Sequence, residues 1–393
     1  MLRGQCMAGG EGAFAQFSLI GGPFHALSTA IVPRLGRAAR VTVGTGLSVA
    51  LWLILATLAT AAGLADRFFS LETSAVHVRM LLAVPLILWC TELFDRAVQN
   101  ACLALVQRGI IAGATKAALD ADALRLSRFN MSGWIQLGLL AGVVIASILV
   151  PQSFLPGMSS SASNLPPMPP TIAGYWYWLV CLPAFRFVLA RFLCIWVVWV
   201  VLLWHLSRHD LALIGLHPDR AGGLGLIEVA QAQLVLSVLA IGAIDAAALA
   251  ETFQTVAPNN AQIYLHVLLV TFIGLCMICA PLLLLVPMLY RCRRRVMVAF
   301  SALAHEYSRQ FQRRWIEPDQ TETGSPLGSG DIQSLADLAS AYETLRTMRV
   351  LLVTPTLVWV IVGAAIVPHL PLHLLEIPIG DLITDLVEAM IGV

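Results

Sequence analysis

Charge is what this chain has least of. Only 12% of its 393 residues are Asp, Glu, Lys or Arg, about half the share in soluble domains, while 58% are hydrophobic and mean hydropathy is +0.81. The net charge of +1 leaves no excess of either sign to attract nucleic acid or an acidic partner. Lysine is nearly absent: Lys116 stands alone among 24 basic residues, as GC-rich bacterial coding would produce. No short apolar region with a cleavage site precedes Arg34, so the first long apolar run is expected to insert the chain itself. The eight cysteines fall mostly inside apolar runs, where disulfides are uncommon. Cys276-Met-Ile-Cys279 has redox spacing but no His or carboxylate beside it, and reads as apolar filler. No cofactor motif and no metal-ligand spacing is found, so neither is expected.

What is present is a series of apolar runs long enough to cross a bilayer. Lipid tails cannot hydrogen-bond a peptide group, so a run of about 20 apolar residues predicts a spanning helix. Seven are predicted, at about 41–64, 76–94, 134–150, 175–206, 224–250, 264–289 and 350–367, the fourth opening on the interfacial aromatics Tyr175 to Trp178. The expected fold is therefore an all-α polytopic bundle. Arginine and lysine stay on the cytoplasmic side, and 20 of the 24 fall in alternate connections; Arg67 and Arg79 lie opposite, and Arg186 and Arg191 inside span four. This predicts seven crossings in a bacterial inner membrane, with residues 1–40 cytoplasmic and the C-terminus outside.

Further elements are predicted around the spans. Residues 290–349 read as a cytoplasmic helical hairpin, its first helix continuing from span six with Phe300, Leu303, Tyr307 and Phe311 on one stripe. A linker at 317–330 follows, and Asp331 is the expected N-cap of the second helix. Residues 374–393 form an acidic amphipathic tail suited to docking on protein, in this chain or a neighbouring copy. Pro85, Pro183, Pro281, Pro287 and Pro355 interrupt four spans, as kinks that favour cavities or as ordinary membrane prolines.

Two groups of residues could carry chemistry. Counted at ~1.5 Å per residue, Arg186 and Arg191 lie roughly 16 and 24 Å deep, where a charge needs a partner. The depths of Asp245 and Glu92 suggest the pairs Arg186–Asp245 and Arg191–Glu92, serving as glue between helices or lining an ion path. The loop with His217, Asp219, Arg220, Gly222, Gly223 and Gly225 combines acid–base groups with glycines at a helix start. His305 and Glu306 are expected on the same face. The plainer reading of the loop is a tight turn, set by Pro218 and capped by Asp219.

The stretches His217-Pro-Asp-Arg-Ala-Gly-Gly-Leu-Gly225 and Leu327-Gly-Ser-Gly-Asp-Ile-Gln-Ser-Leu-Ala-Asp-Leu338 resemble signatures of a family of uncharacterised bacterial multi-pass membrane proteins. Ala304-His-Glu-Tyr307 fits the same pattern, and the resemblance covers spans two to seven. It implies architecture and location but no catalytic residues.

The preferred expectation is a channel or transporter for a small, possibly anionic, solute. The alternatives are a membrane-embedded enzyme with a His/Asp site on the cytoplasmic face, or a non-catalytic scaffold or sensor. The bilayer is the expected partner, with a second copy of the chain possible.

Overall fold

The computed structural model describes residues 12–31, 38–149, 171–254, 260–317 and 330–372. Within these the chain is helical, with no strand. The helices are α1 (Pro23–Ile31), α2 (Ala39–Ala61), α3 (Leu71–Gln107), α4 (Gly113–Met131), α5 (Gly133–Leu149) and α6 (Ile172–Arg208). They are followed by α7 (Gly225–Phe253), α8 (Asn260–Leu283), α9 (Val286–Phe311), α10 (Gly330–Arg346) and α11 (Pro355–Leu372). Six of them (α2, α3, α6, α7, α8 and α11) are long and apolar enough to cross a membrane, and α4 with α5 makes a seventh candidate bent by 46°. The protein is an all-α polytopic transmembrane bundle.

The core forms around α7, half of whose apolar window is buried. It packs on α3, α8 and α11, and its alanine-rich sequence from Ala240 to Ala250 allows this close approach. At its break, Gln231 satisfies two neighbours at once. Its Oε1 accepts from Trp199 Nε1 (3.0 Å), and its Nε2 donates to the Ile278 carbonyl (2.8 Å). An unpaired amide there would cost several kcal/mol in an apolar medium.

Several predicted boundaries need correction. The second span, expected to end near Phe94, belongs to a helix of 37 residues. Hydropathy falls where Glu92, Asp95 and Arg96 begin, but the helix continues because these side chains find partners. The first hairpin helix does not continue from span six. The chain breaks at Leu284 and Leu285, after Pro281 and before Pro287, since proline cannot donate to the preceding turn. The predicted tail at 374–393 lies outside the described residues.

The loops sort into two ends. At one, the α3–α4 loop meets the α6–α7 loop (Ala212 N to Ile110 O, 3.0 Å), which meets the segment before α11 (Arg349 N to Arg220 O, 2.7 Å). This is the arginine-rich end. At the other, Ser74 Oγ donates to the Ala247 carbonyl and Ala75 N to Glu251. The N-terminal segment also joins the arginine-rich end, burying Phe14, Phe17 and Leu19. It is fastened by Asp95, which accepts from Leu19 N and Ser18 Oγ, and by Asp120, which accepts from Phe14 N (2.7 Å).

α9 and α10 form an antiparallel hairpin. Arg293 Nη2 donates to the Arg346 carbonyl (2.8 Å) near one end, and Tyr307 Oη donates to the Asp331 carbonyl (3.1 Å) near the other. Phe300 stacks on Tyr342 between them, whereas Leu303 is exposed. Asp331 is not an N-cap: it sits in the first turn, where its carboxylate accepts from Trp315 Nε1 (3.0 Å) and pairs with Arg314 (3.3 Å).

One ion pair locks α11 onto α7. Arg349 Nη1 lies 2.8 Å from Glu228 Oε2, while Glu228 Oε1 accepts from Thr354 N at 2.8 Å. Replacing Arg349 by Leu strands a buried carboxylate and should cost about 2–3 kcal/mol, less than a fully buried pair because Arg349 is 31% exposed. Unfolding in detergent measures this, and adding Glu228→Leu should recover most of the loss. A double variant as unstable as the single one would show that the pair does not set the stability.

Candidate functional site

An apolar cavity lies between α2, α3, α5 and α6, with a volume near 330 Å³. It lines α2 from Arg40 to Leu51, α3 from Met80 to Thr91 and α6 from Ala184 to Ile195. At ~1.5 Å per residue each stretch is roughly 16 Å long, so the cavity is a slot parallel to the helices. The polar residues Arg40, Thr91, Gln136 and Arg191 lie toward the arginine-rich end, and Leu51, Met80 and Ala184 toward the other. Gly21 of the N-terminal segment reaches the polar end, held by Gln136 Nε2 donating to its carbonyl (3.1 Å).

Two guanidinium groups in this slot are under-satisfied. Arg40 is 6% exposed, and its Nε and Nη2 find no hydrogen-bond partner among the described residues. Arg191 donates through Nη1 to Asn130 Oδ1, but its Nη2 is also buried and unpaired. Arg40 feels the charges of Glu92 and Asp95, yet neither comes within ion-pair distance. Glu92 is taken by Arg96, and Asp95 by the N-terminal segment. Buried donors without acceptors each cost about 1–3 kcal/mol, and more when charged.

Two of the lining helices share a local irregularity. In α3 a π-helical stretch, Val78–Ala83, precedes Pro85; in α6 another, Tyr177–Cys181, precedes Pro183. The wider turn absorbs the proline ring and its missing N–H. Both irregularities flank the apolar end of the slot.

Neither predicted intramembrane pair forms. Arg186 Nη1 donates to Ser147 Oγ (2.7 Å), tying α6 to α5. Asp245 instead sits between His266 Nδ1 (3.0 Å) and His369 Nε2 (3.1 Å), joining α7, α8 and α11. Arg191 bonds the amide of Asn130, and Glu92 bonds Arg96 one turn along its own helix (3.0 Å). Depth along a span says nothing about helix rotation or neighbours, so charges at equal depth face different groups.

The loop motif is a structural turn. Asp219 Oδ1 accepts from Ala221 N (2.8 Å) and Gly223 N (3.1 Å), and Oδ2 from Gly225 N (2.9 Å). The amides that could have cradled an anion are therefore occupied. Arg220 (φ 52°), Gly222 (φ 66°) and Gly223 (φ 96°) take left-handed conformations. At Gly223 an added Cβ would also meet Ile110 Cδ1 at 2.4 Å, so only glycine fits. His217 Nδ1 is 2.8 Å from Asp219 Oδ1. His305 and Glu306 lie exposed on α9, and no hydrogen bond or ion pair among the described residues links them to this turn. Glu306 is held below the usual carboxylate range by its bond to Gln310 and by nearby Arg309. No group of three or more His, Cys, Asp or Glu among the described residues is arranged to hold a metal.

No protein family, curated protein or solved structure matches this chain.

Sequence reasoning missed Arg40 as a site residue, because it falls one position before the first predicted span. A signal existed: it is the last arginine before the first apolar run, and no acidic residue falls in the first turn of α2. Asn130 and Ser147 were missed because neutral side chains are not conspicuous as partners for charge, and Gln136 because its partner, the Gly21 carbonyl, is distant in sequence.

Asp219 predicts an acid response. Burial would raise its pKa, but the amides of Ala221, Gly225 and Gly223, with His217, outweigh burial and hold it below the usual value. A depressed folded pKa contributes stability that is present above the unfolded value, ~3.9, and lost as pH falls through the folded one. Asp219→Asn should cost about 1–3 kcal/mol at pH 7 and remove part of the acid sensitivity. Thermal unfolding in detergent at neutral and strongly acid pH tests this. Asp219 is not the titrating group if the Asn variant loses as much on acidification as the native chain.

Proposed function

We propose that this protein is a channel or carrier for a small anionic solute, with Arg40 and Arg191 as its anion-binding groups. The observation that carries the reading is the pair of incompletely bonded guanidiniums, Arg40 buried and Arg191 half-buried, at one end of a mostly apolar slot. Groups in that state are stabilised by an anion, because an oxyanion offers the acceptors the protein withholds. The adjacent π-turns with Pro85 and Pro183 are points where α3 and α6 can bend. Gly21 is placed to cover the polar end of the path.

The arginine-rich end is assigned to the cytoplasm by the retention of basic loops, in a bacterial inner membrane. Membership in the uncharacterised family bearing the two motifs above is part of the same reading. The enzyme alternative finds no support in the geometry, since His217 and Asp219 are engaged in a turn and His305 and Glu306 lie apart from it.

Two experiments test this. In proteoliposomes, acetate or chloride efflux above protein-free vesicles should fall about tenfold or more in Arg40→Met, the loss expected for one charged hydrogen-bonding group. It should survive His217→Ala. Efflux equal in native protein and Arg40→Met, or absent from both, would reject the transport reading. Reporter fusions at residues 160 and 330 should report opposite compartments, and a shared one would overturn the crossing map and the side assigned to each loop.

A further inference from the structure

The same slot narrows the class of ligand. Its two ends differ in chemistry, with Arg40 and Arg191 at one and Leu51, Met80, Ala184 and Phe185 toward the other. Its length of roughly 16 Å is about half the ~30 Å hydrocarbon core, the reach of one leaflet's acyl chain. The volume near 330 Å³ is at the small end of ligand sites and suits one slender chain.

The slot is also open sideways. α2 packs on α3, and α5 on α6, but α2 and α5 scarcely touch. Leu47 of α2 and Leu140 of α5 both line the slot, yet they are 52% and 41% exposed. In a bilayer these exposed faces meet acyl chains, so the gap between α2 and α5 connects the slot with the membrane interior rather than with water alone.

The polar end holds a second anion-attracting feature besides Arg40. α2 is a helix of 23 residues whose N-terminus carries no capping side chain and no acidic residue in its first turn. Its leading amides and dipole therefore reinforce the Arg40 charge.

We infer that the slot binds a single-chain amphiphile with an oxyanion head, such as a long-chain carboxylate, entering laterally between α2 and α5. The head sits against Arg40, Arg191 and the start of α2, and the chain runs past Ser48 and Leu88 toward Leu51 and Phe185. This deepens the anion site proposed above and rests on it, by naming an acyl carboxylate rather than a water-soluble ion as the occupant.

The test uses the full chain in a neutral detergent, with oleate as probe and retained adducts read by native mass spectrometry. Native protein should retain one oleate, and Arg40→Met should weaken retention by about tenfold or more. Leu140→Trp, on the exposed rim, should obstruct the slot and weaken retention while leaving Arg40 in place. Oleylamine, with the charge reversed, should not compete, and acetate, with no chain, should compete only in very large excess over oleate. Because two nitrogens of the Arg40 guanidinium lack acceptors among the described residues, Arg40→Met should unfold at or above the native temperature, which separates lost binding from lost folding.

Equal oleate retention by native protein and Arg40→Met, equal competition by oleylamine, or undiminished retention in Leu140→Trp would each overturn the inference. Displacement of oleate by equimolar dioleoyl phosphatidylglycerol would overturn it too, by giving the site to a bilayer lipid. Arg40-dependent acetate efflux without oleate retention would leave the anion site standing and remove only the amphiphile. Arg40-dependent oleate retention without acetate or chloride efflux would do the reverse, leaving binding and removing small-ion transport.

Discussion

A guanidinium withdrawn from water must be given oxygen atoms, and much of this bundle is arranged to supply them. Arg79 of α3 bonds the hydroxyl of Tyr177 on α6 at 2.7 Å, and Arg186 of α6 bonds Ser147 of α5 at 2.7 Å. Arg191 reaches Asn130 of α4, whose amide in turn holds the Leu19 carbonyl. Arg349 takes Glu228 at the foot of α7. Each contact joins two elements distant in sequence, so the cost of burying a charge becomes a constraint on which helices stand side by side. Within the apolar layer the acceptors are mostly neutral, and arginine's planar fork serves them without a counter-charge.

Arg40 is the exception, and the proposed function follows from it. The carboxylates that could have quenched it are committed elsewhere, Glu92 to Arg96 and Asp95 to the N-terminal segment. The result is a cationic end on an apolar slot, reinforced by an uncapped helix start. Were the site only structural, a carboxylate facing Arg40 would serve stability better. Leaving the charge open would instead favour the proposed anion.

The His217–Gly225 loop follows the same rule with the opposite sign. There the half-buried carboxylate of Asp219 collects three backbone amides, and the left-handed residues around it let the chain fold back within hydrogen-bond reach. The conformation presents the Arg220 carbonyl to Arg349 N, so the turn also anchors the segment leading into α11. A motif rich in acid–base residues here serves packing, and its chemistry is spent on the backbone.

Composition and order alone pointed to a lipid solvent and to the helices that can cross it: apolar runs must form helices in lipid, six of them long enough by themselves and the run at 134–150 only together with α4. Hydrophobicity is a property of each segment by itself, so the seven runs and the α9–α10 hairpin were legible without coordinates. Helix continuity past Phe94 was not, because Glu92, Asp95 and Arg96 look like an end until their partners are seen. Only the folded chain decided the neighbours of Arg186, Arg191, Asp245 and Glu92. Those depend on how each helix is rotated and which helix lies beside it, and one-dimensional depth carries neither. The incompletely bonded Arg40 is the clearest case, since a missing partner is defined by everything around it that turned elsewhere.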